Sequence, residues 1–185
     1  AAFFGYSVSI NAAGTLIAVG APSARYVGVY TYSGGSWTGP VVLSTTLPLS
    51  ANFGWSVYVA PSADIIIVGA PNYEYAVVYR YTGGSWVRDT SLVSTAGSGA
   101  NFGSTVTISS DGTRAIVGAA VSGYAAAYDY SDSTWSQPNI LQNQTGDPNS
   151  RFGSAISMSH DASKVLVGGY GYANAVGYAA IYVQT

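Results

Sequence analysis

The chain has 185 residues and a mass of 19.0 kDa, enough for one ordinary domain that buries roughly 70% of the surface its unfolded form exposes. Only 8% of its residues are charged, against roughly 25% in typical soluble domains, and the net charge of −2 leaves no basic stripe to neutralise phosphates, which excludes nucleic acid as a partner. A hydrophobic content of 48% excludes intrinsic disorder, and the lack of cysteine excludes disulfides, thiolate metal sites and cysteine nucleophiles.

No apolar stretch reaches the roughly 18 residues of a membrane helix. The N-terminus also lacks the basic start of a signal peptide, although a mature secreted form reads the same way.

In chain order, the first predicted strand carries Tyr6, Val8 and Ile10 in alternation with Ser7 and Ser9, the period of a strand. Leu16-Ile17-Ala18-Val19 follows as a run apolar on both faces, the signature of a strand buried between layers. Val29-Tyr30-Thr31-Tyr32 is the third strand, Gly34-Gly35 supplies the positive φ angles of a tight hairpin, and a fourth strand runs from Trp37 to Leu43. The unit then repeats. Phe-Gly recurs at Phe4-Gly5, Phe53-Gly54, Phe102-Gly103 and Phe152-Gly153, in steps of 49, 49 and 50 residues, and Val-Gly recurs at Val19, Val68, Val117 and Val167. Trp37, Trp86 and Trp135 keep the register, as do Leu43, Leu92 and Leu141, while the fourth copy gains four residues before Gly177-Tyr178. Four antiparallel strands per repeat predict an all-β fold, a β-propeller of four blades, at residues 4–52, 53–101, 102–151 and 152–185 of one domain spanning 1–185. An outer-membrane barrel needs longer strands, and a parallel solenoid does not use double-glycine hairpins.

The order Phe53-Gly54-Trp55-Ser56-Val57, Val68-Gly69-Ala70-Pro71, Val78-Tyr79 and Gly83-Gly84-Ser85-Trp86 resembles the FG-GAP repeat family, the blade unit of the integrin alpha-subunit propeller, in its extracellular non-integrin form. The resemblance implies a non-catalytic role outside the cell. Many blades of that family carry a calcium loop between first and second strands. Here those turns read Asn11-Ala12-Ala13-Gly14, Pro61-Ser62-Ala63-Asp64, Ser109-Ser110-Asp111-Gly112 and His160-Asp161-Ala162-Ser163, with at most one carboxylate each, so neither metal nor other cofactor is expected.

No convergent acid, base and nucleophile stand out, so no enzyme is expected: His160 reads as a solvated turn residue, and Asp129 and Asp132 flank a hairpin. The three repeated tryptophans read as packing, and Trp55 as a side chain between blades. Asn143-Gln144-Thr145 is a glycosylation sequon in a loop. The connections from second to third and fourth to first strands are longer and share one face. They carry Arg25, Tyr26, Tyr73, Glu74, Tyr75, Tyr124, Tyr170 and Tyr172, a composition suited to a protein or glycan partner and equally to tyrosines capping the blade ends. The resulting expectation is an extracellular or cell-surface adhesion or protein-binding module, with a structural subunit of a fibre or coat, or a carbohydrate-binding lectin, as alternatives. The last copy stops at its third strand, so fifteen strands are expected. The unguarded edge Ala179 to Val183 points to a longer chain or a larger assembly, against a ring in which that edge faces solvent.

Overall fold

A computed structural model describes every residue except Ala1, Leu47, Ala63, Ala96, Pro148, residues 172–175 and Thr185. Four antiparallel sheets follow one another along the chain. The first holds β1 (Ser7–Ile10), β2 (Leu16–Ala21), β3 (Tyr26–Ser33) and β4 (Ser36–Ser44), hydrogen-bonded in that order. The second repeats it with β5 (Ser56–Val59), β6 (Ile65–Ala70), β7 (Tyr75–Thr82) and β8 (Ser85–Val93). The third has β9 (Phe102–Ile108), β10 (Arg114–Ala119) and β11 (Tyr124–Ser131), whose outer edge pairs with two short pieces, β12 (Thr134–Trp135) and β13 (Asn139–Gln142). Pro138 lies in the gap between those pieces, where a residue without an N–H cannot continue a ladder. The fourth has β14 (Ala155–Met158), β15 (Lys164–Gly169) and β16 (Tyr178–Val183). Counting the interrupted strand once, the described residues give the fifteen strand positions expected, and the last sheet lacks an outer strand.

The hairpin glycines do what the pattern requires. Gly34 and Gly35 have φ of 59° and 85°, and Gly83 and Gly84 have 60° and 83°. In the third sheet Asp132 and Ser133 take the same left-handed conformation, at 49° and 63°. Asp accepts it at modest cost because its short polar side chain can bond locally.

Burial between sheets explains the apolar runs. All six residues of β6 are buried, whereas β2 alternates buried and half-buried because only one of its faces has a neighbouring sheet. Phe53, Phe102 and Phe152 are fully buried in three successive inter-blade clusters. Each Phe-Gly turn drives its glycine carbonyl against the preceding blade at Gly20, Gly69 or Gly118, where any Cβ would collide with that oxygen. The same carbonyls accept hydrogen bonds from Ser7 (2.9 Å), Ser56 (2.8 Å) and Thr105 (2.9 Å) of the preceding blade. In return Tyr79, Tyr128 and Tyr182 donate their hydroxyls back to the carbonyls of Ser44 (3.3 Å), Val93 (3.0 Å) and Gln142 (2.5 Å). Burial pushes the Tyr128 phenol well above its ordinary range. Trp37, Trp86 and Trp135 lie on Tyr32, Tyr81 and Tyr130 with ring centroids 5.2–5.4 Å apart, and Trp55 meets Tyr6 of the first blade at 4.6 Å, so all four pack as the pattern implied.

Candidate active site

The turns from first to second strand build one end of the structure. In the third blade Asp111 Oδ1 accepts from Ser109 Oγ (2.7 Å), Thr113 N (3.0 Å) and Thr113 Oγ1 (2.8 Å), closing the turn on itself. The fourth blade repeats this: Asp161 Oδ1 accepts from Ser159 Oγ (2.6 Å), Ser163 N (3.1 Å) and Ser163 Oγ (2.9 Å). The Ser109 hydroxyl, with help from Thr113, lowers the Asp111 pKa, and the Ser159 hydroxyl with the Ser163 amide and hydroxyl holds Asp161 at about 2. Both carboxylates are therefore ionised at neutral pH, with Oδ1 of Asp111 and both oxygens of Asp161 engaged by their own turns.

Neighbouring turns are tied sideways. Ala12 N donates to Pro61 O (3.1 Å), Ser62 N donates to Ser110 O (3.2 Å), and the Ser62 and Ser110 hydroxyls meet at 2.8 Å. Together Ser62, Ser110, Asp111, His160, Asp161 and Ala162 line an open cleft of about 420 Å³, assembled from three successive blades. His160 is exposed in its turn, as expected, and it shares the lining of this open cleft with two carboxylates and a hydroxyl pair. Sequence reasoning passed over the two serines. The signal available was that hydroxyls recur in the same turn of adjacent copies.

The opposite face holds the residues expected to bind, and it scatters them. Tyr73 and Tyr170 are exposed, while Tyr26 and Tyr75 are half-buried. Arg25 and Glu74 occupy the left-handed position after the single 3-10 turns Pro22–Ala24 and Pro71–Tyr73. Glu74 is structural: its carboxylate accepts from the amides of Gly99 (2.9 Å), Asn101 (3.0 Å) and Phe102 (2.7 Å), pinning the connection into the third blade. Tyr124 is buried, with its hydroxyl 2.9 Å from Ser94 Oγ, and caps a blade end. Tyr124 and Asn143 share a cleft of about 390 Å³ that Gln142 and Asp147 also line. Tyr172 lies outside the described residues, as does Ala63 of the second first-to-second turn.

The Asn143 amide is engaged within its own loop, donating to Asp147 O (3.0 Å) and accepting from Thr145 N (2.9 Å). No group of three or more His, Asp or Glu able to hold a metal occurs among the described residues.

No protein-family model and no curated protein sequence matches the chain. Solved structures do. A protein from Lactobacillus plantarum superposes with a TM-score of 0.68 at 18% identity, over 96% of this chain and 53% of that one. The periplasmic gluconolactonase of Pseudomonas aeruginosa gives 0.61 at 14% identity, over 96% and 56%. A candidate 6-phosphogluconolactonase from Bacteroides uniformis gives 0.60 at 10% identity, over 96% and 54%.

The chain is an arc of a β-propeller. It spans about half the length of these structures. The resemblance to FG-GAP repeats is corrected by the same comparison, since two of the propellers named above are a gluconolactonase and a candidate 6-phosphogluconolactonase and not of the integrin type. A four-stranded blade needs a Phe-Gly plug, a buried second strand and a tight hairpin whatever its lineage, so those motifs report the architecture and not the family. The expected adhesion module falls with that resemblance, together with its fibre-subunit and lectin alternatives and the glycoprotein assignment, as does the ground for expecting no enzyme: similar structures include two that carry lactonase names.

Proposed function

We propose that this propeller arc hydrolyses a sugar-derived lactone in the cleft of the first-to-second turns, and that residues 1–185 act as one domain in doing so. The observation that carries the reading is the meeting, in one cleft, of the chain's single imidazole, two ionised carboxylates and a hydrogen-bonded serine pair. The lactonase names among propellers of the same fold support it by analogy.

Hydrolysis of a lactone needs a base for water and donors for the developing oxyanion. His160 takes a proton from a water molecule as the water oxygen bonds to the carbonyl carbon. The Ser62 and Ser110 hydroxyls donate to the carbonyl oxygen as it gains charge. When the ring C–O bond breaks, the leaving oxygen takes the proton back from the imidazolium, and the open-chain hydroxy acid departs as its carboxylate. Asp111 and Asp161 are poor bases in this arrangement, because hydrogen bonds from their own turns lower both pKa values and hold the charged forms. Their fixed negative charge stabilises the imidazolium and repels the anionic product.

The described cleft lining holds two carboxylates and neither lysine nor arginine. That balance favours a neutral, unphosphorylated lactone over a phosphate ester. The test is proton release in a pH-stat from aldonolactones with and without a phosphate. The reading predicts turnover above the spontaneous rate, with the neutral lactone preferred. A rate equal to buffer on both substrates overturns it.

A further inference from the structure

Three blade junctions repeat one set of contacts, and the two outer faces of the arc carry the two halves of a fourth. In each junction a buried phenylalanine and its following glycine plug into the preceding blade, against a glycine that has no room for a Cβ. The exposed plug is Phe4-Gly5. Phe4 is 48% exposed where Phe53, Phe102 and Phe152 are 0%, and Gly5 has nothing near it where Gly54, Gly103 and Gly153 press on the carbonyls of Tyr26, Tyr75 and Tyr124. The exposed socket is Gly168. It holds the place of Gly20, Gly69 and Gly118, yet a Cβ there would find only Ala155 at 3.6 Å, an ordinary contact. Nothing within the arc requires a glycine at 168. A Phe-Gly carbonyl arriving from another blade does.

The surrounding side chains agree. On the socket face Leu166 and Ile181 are 45% and 66% exposed, although their counterparts Ile116 and Ala127 are buried under the fourth blade. On the plug face Val8 and Ile10 are 68% and 56% exposed, although Val57 and Val59 in the same places are 8% and 1%. Two such apolar faces on one small protein exceed what scattered surface residues explain. They are complementary in register, because one continues the established junction forwards and the other continues it backwards. The arc also spans 53–56% of the length of the propellers it superposes on, so a ring of this kind needs more blades than one arc supplies.

We propose that a second copy of this chain docks head to tail on both faces, closing a two-fold ring of eight blades. Phe4-Gly5 of each copy enters the socket made by Gly168 and the Tyr178 backbone of the other, and Val8 and Ile10 cover Leu166 and Ile181. Using a heterologous contact twice closes the ring and leaves no free face. This inference is independent of the lactonase reading, since its test measures mass and not turnover.

The decisive experiment is native mass spectrometry and light scattering of the chain across micromolar concentrations. A species of twice 19.0 kDa is expected. Gly168→Ala, whose Cβ the isolated arc accommodates, should lower the dimer fraction at least tenfold while the circular dichroism spectrum is kept. A cross-link gives a check that does not depend on that variant folding. Ser9 Oγ accepts from Val59 N across the first junction at 2.9 Å, so Ser157 of one copy should meet Ile10 of the other. In this cysteine-free chain, a mixture of Ser157→Cys and Ile10→Cys should form a covalent dimer on oxidation, whereas neither variant should do so alone. A monomer at all concentrations overturns the proposal and leaves the faces to further blades of a longer polypeptide. Open chains of many copies overturn the closed ring.

Discussion

A single methyl group at Gly118 should unlock the junction between the third and fourth blades. A Cβ built there collides with the Gly153 carbonyl oxygen, lies 3.1 Å from the carbon of that carbonyl and 3.2 Å from Ile156 Cδ1. The first two are backbone atoms that cannot rotate away, so the Phe152-Gly153 turn must shift as a unit. Overpacking of this kind costs about 1–3 kcal/mol. The displaced oxygen is also the acceptor for Thr105 Oγ1 at 2.9 Å, and loss of that bond adds about 0.5–1.5 kcal/mol. Gly118→Ala is therefore expected to cost roughly 2–4 kcal/mol and, at about 2–4 °C per kcal/mol for a chain of this size, to lower Tm by roughly 5–15 °C. Differential scanning calorimetry reads this directly. A Tm within about a degree of the parent would mean that the blades do not approach through this glycine.

Glu74→Ala should release three backbone amides at once, so hydrogen exchange at Gly99, Asn101 and Phe102 should accelerate together; unchanged protection there would contradict the anchoring role. Asp161 titrates at about 2 in the folded chain, below the ordinary 3.8, so its stabilising contribution is fully present above the ordinary value and is lost as pH falls through about 2. An NMR titration of its carboxyl carbon should find the midpoint near 2, and a midpoint near 3.8 would show that the turn does not hold the charged form. Tyr128→Phe deletes the bond to Val93 O and should cost about 0.5–1.5 kcal/mol in urea unfolding with an unchanged m-value, whereas no cost would mean that bond is not formed. Chelation should leave Tm in place, because the turn carboxylates are committed to hydroxyls and amides of their own turns, and a fall of several degrees would reveal a bound cation.

The strands were legible because burial leaves a periodic trace. Ile65-Ile66-Ile67-Val68 can be apolar on both faces only if a sheet lies on each side, and the double glycines at 34–35 and 83–84 can do little but turn. The interruption of the third blade's outer strand was less visible, since one proline had to be weighed against a tryptophan-to-leucine register that otherwise continued. The roles of the loop-face residues were not legible in sequence for a physical reason. Tyrosines at strand ends look alike whether they bind a partner or seal a blade, and Tyr124 proves buried while Glu74 serves three amides of its own chain. His160 is unremarkable in sequence because Ser62, Ser110 and Asp111, which line one cleft with it, lie some fifty and one hundred residues away and come to that cleft only when the blades stack.

The lactonase reading rests on His160 acting as the base within the cleft of the turns. The direct measurement is steady-state hydrolysis of a neutral aldonolactone by the parent chain and by His160→Asn, an exposed substitution that should leave Tm unchanged. Loss of at least a hundredfold in kcat/KM at equal Tm is expected, in line with the roughly 10²–10⁴-fold contribution of general acid–base catalysis. A variant that turns over the lactone at the parent's rate would contradict the account.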